Sequence, residues 1–272
     1  MKRVLQYAAL CGYVLFLGFP LLWMLSAAFK SPRELASIHP GLIPHHPTLA
    51  NFRDAFAQQN LLHSAWNSLQ VSVLASVLTI LVALPAAYAL VRYRTVLRQV
   101  ALVWVLVSQI FPLILIVIPL FLILRQVGLT DSLPGLVVTY VVWTLPFALW
   151  MLQGYVRAIP KELEEAAAVD GAGKFRTLVQ VVLPLLTPGI VVTILFTFIT
   201  AWNEFFFALV LLQSPDLATL PLTLARFVGS EGKVALGPLA AGAFLATVPG
   251  LIVFAVLQRR LTSGLLSGAV KG

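Results

Sequence analysis

The sequence predicts an all-α polytopic membrane protein with six transmembrane helices and a charged cytoplasmic loop between spans 4 and 5. Three observations predict it. Hydrophobic residues make up 60% of the 272 and charged residues only 10%, with a mean hydropathy of +0.96, whereas soluble domains carry about 25% charged residues. Several uninterrupted apolar runs reach the ~20 residues that a helix needs to cross a bilayer. The ~10-residue alternating segments of a membrane β-barrel do not occur.

The spans are expected at 7–28, 67–91, 101–124, 136–153, 188–212 and 239–257, in one domain covering 1–272. The N-terminus opens Met1-Lys2-Arg3 and runs into apolar residues, as a signal peptide does. The run over 7–29 is too long for such a peptide's apolar core and lacks a clean A-x-A exit, so it reads as a retained first span. The single cysteine, Cys11, lies inside it and allows no intrachain disulfide. Prolines fall within or near the span ends at Pro20, Pro85, Pro112, Pro119, Pro146 and Pro249. They read equally as simple kinks and as hinges, since neighbouring helices satisfy the freed carbonyls.

Six spans place both termini on one side, and the loops decide which. The side holding the termini, residues 92–98 and residues 157–176 carries twelve of the 18 Lys and Arg residues; the other side carries six. Positive charge stays inside, so the termini and the 158–184 loop are expected in the cytoplasm. The net charge of +8 does not point to nucleic acid, because the basic residues flank the apolar runs and form no basic helix face. All four histidines lie in the first outside loop, over 30–64. Prolines bracket His45-His46, which indicates extended surface chain. No second cluster has ligand spacing, so no metal site is expected.

Residues 161–188 are the least membrane-like stretch between two spans. Pro160 suits the first turn of a helix, and Glu162, Glu164 and Glu165 would then complement its N-terminal dipole. Ala166, Ala167 and Ala168 leave a face nearly bare, able to lie close against another surface. Asp170-Gly171 ends that helix, because glycine takes the left-handed cap cheaply. A second short helix is expected over 174–182, returning to the membrane at Leu183-Pro184. The residues alone allow both a docking surface for a soluble partner and a plain solvated linker.

Of the ten acidic residues only Glu204 falls inside an expected span. A charge there costs roughly 2.5–3.5 kcal/mol on insertion scales and should face a cavity or a partner. Trp202 and Asn203 beside it add an aromatic plate and an amide, groups that suit a sugar. A structural bond between spans, or a contact with a partner chain, explains Glu204 as well. Asn67, Gln109 and Gln153 read as interhelical hydrogen-bonding groups or weaker pathway candidates. Trp104, Trp143 and Trp150 read as packing or interfacial anchors.

The loop resembles that of permease subunits in ATP-binding-cassette importers, whose pattern is E-A-A, three residues, G, about nine residues, then an apolar residue, L and P. Glu165-Ala166-Ala167, Gly171 and Leu183-Pro184 stand in that register. One departure is Leu178 where an aromatic residue is common; Phe175 sits earlier. The chain looks most like the shorter permease of maltose-type carbohydrate importers. Trp66-Asn67-Ser68, Ala201-Trp202-Asn203-Glu204, Leu220-Pro221-Leu222 and the ending LTSGLLSGAVKG carry that likeness.

The resemblance implies a permease in a prokaryotic inner membrane, partnered by a homologous permease, two ATPase chains and an extracytoplasmic sugar-binding protein. The first loop helix would enter a cleft of the ATPase, with Glu165 pairing to a basic residue and Gly171 allowing the turn. The chain has no phosphate-cradling GxxxxGK[ST]. It is therefore expected to be no enzyme and to carry no cofactor, with ATP and Mg held by the partner. Other readings are an importer of glycerol phosphate or peptide, a secondary transporter and an intramembrane enzyme. No span interior holds a basic residue for an anion, only one acid lies at membrane depth, and no histidine lies in a span.

Overall fold

A computed structural model describes residues 2–39, 41–93, 96–229 and 234–269. Of residues 2, 58, 96, 97, 102, 106, 109 and 259–269 it describes the backbone alone. About 81% of the described residues are helical, and among them the only β pairing is the isolated bridge Val228–Val234.

In chain order the helices are α1 (Lys2–Phe29), α2 (Pro32–Leu35), α3 (Ala50–Gln59), α4 (Leu61–Arg92), α5 (Val96–Ile110), α6 (Leu113–Gln126), α7 (Leu133–Ala158), α8 (Glu162–Val169) and α9 (Lys174–Thr177). A π turn, Leu178–Val182, joins α9 to α10 (Leu183–Trp202). Then come α11 (Phe206–Leu211), α12 (Leu220–Ala225) and α13 (Leu236–Ala269). Among the described residues, five segments are long and apolar enough to cross a membrane: Arg3–Phe29, Leu61–Arg92, Leu133–Ala158, Lys174–Trp202 and Leu236–Gln258.

Two expected spans differ from the structure. The third, 101–124, is interrupted between α5 and α6. Pro112 has no N–H to continue the helix and disfavours helical backbone at Phe111; it sits extended (φ −62°, ψ 130°) ahead of α6. The fifth, 188–212, ends as a long helix at Trp202 and restarts at Phe206. Its near end also starts earlier. The separate second loop helix expected over 174–182 does not exist as such, because α9, the π turn and α10 form one helical run. Pro184 explains the π turn, since its ring and missing N–H exclude the ordinary bond to the carbonyl of Gln180, inside that turn.

The chain forms two compact units. The first contains residues 1–66 and 218–250. Here the buried Asn51 amide donates to the carbonyls of Ala28 (2.9 Å) and Lys30 (2.7 Å), closing the end of α1. Buried Lys30 lies 4.7 Å from the Trp23 ring centroid and donates to the Gly41 carbonyl. Ser31 and Glu34 form a capping box on α2. Glu34 also accepts the backbone N–H groups of His45 (2.8 Å) and His46 (3.0 Å), so the histidine pair is ordered through its main chain. The Ser31 N–H above all, with those of His46 and His45, holds the Glu34 carboxyl below its usual range.

The second unit contains residues 67–217 and 251–272. Its centre is the contact of α7 with α10. A Cβ on Gly189 would lie 2.4 Å from Cγ of Tyr155, so glycine is what lets the two helices approach. Small buried residues Ala83, Ala87 and Ala148 continue the packing between α4 and α7. The Thr79 and Thr144 hydroxyls pair at 2.9 Å across it.

Candidate functional site

The charged loop begins where α7 ends. Pro160 stands before Lys161, the N-cap of α8, rather than in the helix's first turn as expected from sequence. The Lys161 carbonyl takes the first bonds, from the N–H groups of Glu164 (2.9 Å) and Glu165 (3.0 Å). At the other end Gly171 has φ +81°. Its N–H reaches the Ala168 carbonyl (3.0 Å) and that of Ala172 reaches the Ala167 carbonyl (2.9 Å). That is the Schellman arrangement, with Asp170 as C-cap and glycine in the left-handed position.

The three acids of the first turn do not share one role. Glu164 turns toward α4, where its carboxylate receives Arg92 Nε at 2.6 Å and the Tyr88 hydroxyl at 2.7 Å. Arg92 Nη2 also donates to the Ile159 carbonyl (2.9 Å). Only 8% of the Arg92 side chain and 15% of the Glu164 side chain are exposed. Glu162, Glu165 and Ala166 stay exposed, and Ala167 is half-buried. Leu163, Phe175 and Val169 are exposed apolar neighbours, Val169 at 89%. From the second arm, Lys174 Nζ lies 5.4 Å from the Tyr93 ring centroid. A cavity of about 270 Å³ lies between the arms and the end of α4, bordered by Tyr93, Lys161, Glu164 and Lys174.

Glu204 lies in the gap between α10 and α11, not within a continuous helix. Oε1 accepts the Phe207 N–H (2.8 Å), and Oε2 accepts the Ala208 N–H (3.2 Å) and the Tyr140 hydroxyl (2.8 Å). The carboxylate thus supplies acceptors to the free N–H groups that begin α11 and ties them to α7. Trp202 is buried and stacks on Phe198 at 5.9 Å. Asn203 is exposed and donates to the Ile199 carbonyl (2.9 Å). Asn67 is buried, remote in sequence, and donates to the Asp216 carbonyl (2.8 Å). The Gln109 side chain lies outside the described residues, as do Arg94, Lys233 and Lys271.

Sequence reasoning did not single out Tyr88, Arg92, Tyr140 or Asp131. Asp131 has φ +48°. Its carboxylate accepts the N–H groups of Gln213 (2.9 Å) and Ser214 (3.0 Å) and the Ser214 hydroxyl (2.5 Å). The Ser214 hydroxyl above all holds this carboxyl below its usual range.

Long apolar helices, with a charged hairpin fastened to the end of one of them, are the architecture of a multi-pass membrane protein. Residues 75–266 match the family described as binding-protein-dependent transport system inner membrane component. The chain belongs to that family. It is 61% identical over 229 residues to the Streptomyces antibioticus ORF1 protein, which is named for an ABC transporter permease, covering 84% of this chain and 100% of that one. It is 39% identical over 277 residues to the diacetylchitobiose uptake system permease protein DasC of Streptomyces coelicolor, covering 100% of both. Its fold is that of a chain in a bacterial ABC transporter involved in the import of alginate, with a TM-score of 0.80, 23% identity and 95% of each chain covered.

Proposed function

We propose that this chain is the smaller membrane subunit of an ATP-driven carbohydrate importer. The observation that carries the reading is the end-to-end match to a diacetylchitobiose uptake permease. A single transmembrane domain over 1–272 forms half of the pathway. The interrupted pairs α5–α6 and α10–α11 count as the third and fifth of six crossings, with both termini in the cytoplasm. Its partners are a second, homologous permease, two ATPase chains that hold ATP and Mg, and an extracytoplasmic binding protein that delivers the sugar.

The loop 158–184 meets the ATPase. Its exposed face, with Glu165 and Ala166 flanked by Leu163 and Val169, enters a cleft, and Asp170 and Gly171 set the turn. A carboxylate among small and apolar residues suits a partner that offers a basic side chain inside an apolar groove. In the pathway, Asn203 is the exposed member of its trio, and Glu204 holds the interrupted helix that presents it.

The test is reconstitution with the partner chains in proteoliposomes. A disaccharide-loaded binding protein should raise ATP hydrolysis and drive uptake. In a Cys11→Ser background, Val169→Cys should crosslink to the ATPase chain. Glu165→Lys with Gly171→Pro should abolish ATPase association; unchanged association and uptake would overturn the coupling role.

A further inference from the structure

We propose that Arg92, held on Glu164 beside Tyr88, is the positioning residue that carries movement of the loop helix α8 into the membrane helix α4. The inference deepens the coupling reading above and rests on it. A loop that is pushed or pulled by a partner moves the membrane helices only through contacts stiff enough to transmit the stroke. Covalent continuity links α8 to α7 through a short connection and links the second arm to α10. It does not link either to α4. That link is made by side chains.

Arg92 is the last residue of α4, and its guanidinium is fixed at two points. Nε meets Glu164 at 2.6 Å and Nη2 meets the Ile159 carbonyl at 2.9 Å. The first point lies on α8, the second on the cap of α7. The Tyr88 hydroxyl, one turn earlier on α4, takes the other carboxylate oxygen of Glu164. Two groups of α4 therefore grip one carboxylate of α8, which fixes its position and its orientation. The pair is largely screened from water, so its attraction exceeds that of an exposed pair at the same distance. A charge-assisted bond of 2.6 Å is also stronger than a neutral one.

The packing beneath continues the grip. Leu84, Tyr88 and Val91 of α4 lie against the buried cluster of Val156, Ile159, Val182 and Leu186. The second arm adds Lys174 over Tyr93. The end of α4 is thus held from both arms of the hairpin. Glu165, one residue on, is exposed at the rim of the cavity beside α4, where it stays open to the ATPase. The two adjacent glutamates have separate roles, Glu165 receiving the stroke and Glu164 passing it on.

The experiment uses the full complex in proteoliposomes, with diacetylchitobiose as probe sugar. Transported sugar per ATP hydrolysed is measured for Arg92→Gln, Glu164→Gln, Tyr88→Phe and the exchange Arg92→Glu with Glu164→Arg. The single charge variants should still bind the ATPase and hydrolyse ATP. Their transport per ATP should fall at least about fivefold, the low end of ordinary coupling between linked sites. Tyr88→Phe should fall less, and the exchange should recover part of the loss. A merely structural role would lower assembly and hydrolysis together and leave the ratio unchanged. An unchanged ratio in Arg92→Gln and Tyr88→Phe, with Glu165→Lys plus Gly171→Pro still abolishing ATPase association, would overturn the latch alone. An ineffective Glu165→Lys plus Gly171→Pro variant would overturn the coupling reading itself.

Discussion

Removing the Glu204 carboxylate should unfasten the gap between α10 and α11 rather than erase a sugar contact. In Glu204→Ala three donors lose their acceptor: the Tyr140 hydroxyl and the N–H groups of Phe207 and Ala208. All three residues are buried, Tyr140 to 1% exposure, so the donors are shielded from bulk water. Hydrogen bonds to a charged group contribute about 1.5–3 kcal/mol each, or ~4.5–9 kcal/mol for three. Taking an ionisable group out of a membrane segment returns roughly 2.5–3.5 kcal/mol. The net loss is about 1–6.5 kcal/mol. Glu204→Gln should cost less. Its carbonyl keeps the Phe207 N–H and its amide donates to the Tyr140 oxygen, so the Ala208 N–H and the Tyr140 hydroxyl proton lose their acceptor, at about 1–3 kcal/mol for each donor left unpaired. Thermal unfolding in detergent, followed by tryptophan fluorescence, should rank wild type above Gln and Gln above Ala. The KM for uptake should hold in the Gln variant. A Gln variant that melts like wild type but has a KM raised severalfold would refute the capping role and return Glu204 to the sugar.

Gly189→Ala should force α10 away from α7. Its new methyl would sit 2.4 Å from Tyr155 Cγ, against ordinary carbon contacts of about 3.5–4.0 Å, and such overpacking costs about 1–3 kcal/mol. A double-mutant cycle with Tyr155→Ala should show strong non-additivity in melting temperature, and additive effects would contradict the contact. The Asp131 clamp on Gln213 and Ser214 should be insensitive to pH near neutrality and loosen in acid. The folded-state pKa of Asp131 is depressed, so its contribution is present above the unfolded value of about 3.9 and is lost as pH falls below it. Protection against hydrogen exchange at the Gln213 and Ser214 amides, relative to the unstructured chain at the same pH, should fall at low pH in the wild type. It should lose that pH dependence in Asp131→Asn, a residue that also tolerates the left-handed backbone.

Local chemistry made much of this molecule readable in advance. The end of α8 at Asp170-Gly171 was legible because a left-handed cap asks for glycine at one position and the sequence supplies it there. The long apolar helices were legible because crossing lipid demands length and hydropathy together. The interruptions were not. Hydropathy averages over a window, so Phe111-Pro112 and the three-residue gap Asn203-Glu204-Phe205 vanish among the apolar residues on either side. Pro112 did carry a signal, but kink and hinge prolines look alike until the helix on either side is seen. The π turn escaped for a related reason: Pro184 announces that one backbone bond is missing, not how the chain absorbs the loss.

The division of labour among the loop glutamates lies further beyond the sequence. Glu164 and Glu165 are chemically identical neighbours, and both satisfy the dipole argument at the start of α8. What separates them is a rotation of about 100° around the helix axis, which bonds one to α4 and leaves the other exposed at the cavity rim. Arg92, about seventy residues upstream, enters a loop-charge count as one more positive residue on the inner side. Its second role appears only when the fold brings the end of α4 against α8. Glu204 follows the same logic, since its partners combine the next turn of its own chain with Tyr140 on α7. An acid at membrane depth thus announces that it must have partners, but only packing says whether they are a ligand's or the protein's own. Here three protein donors converge on the carboxylate. For this reason the exposed Asn203, rather than Glu204, is the member of its trio left facing outward.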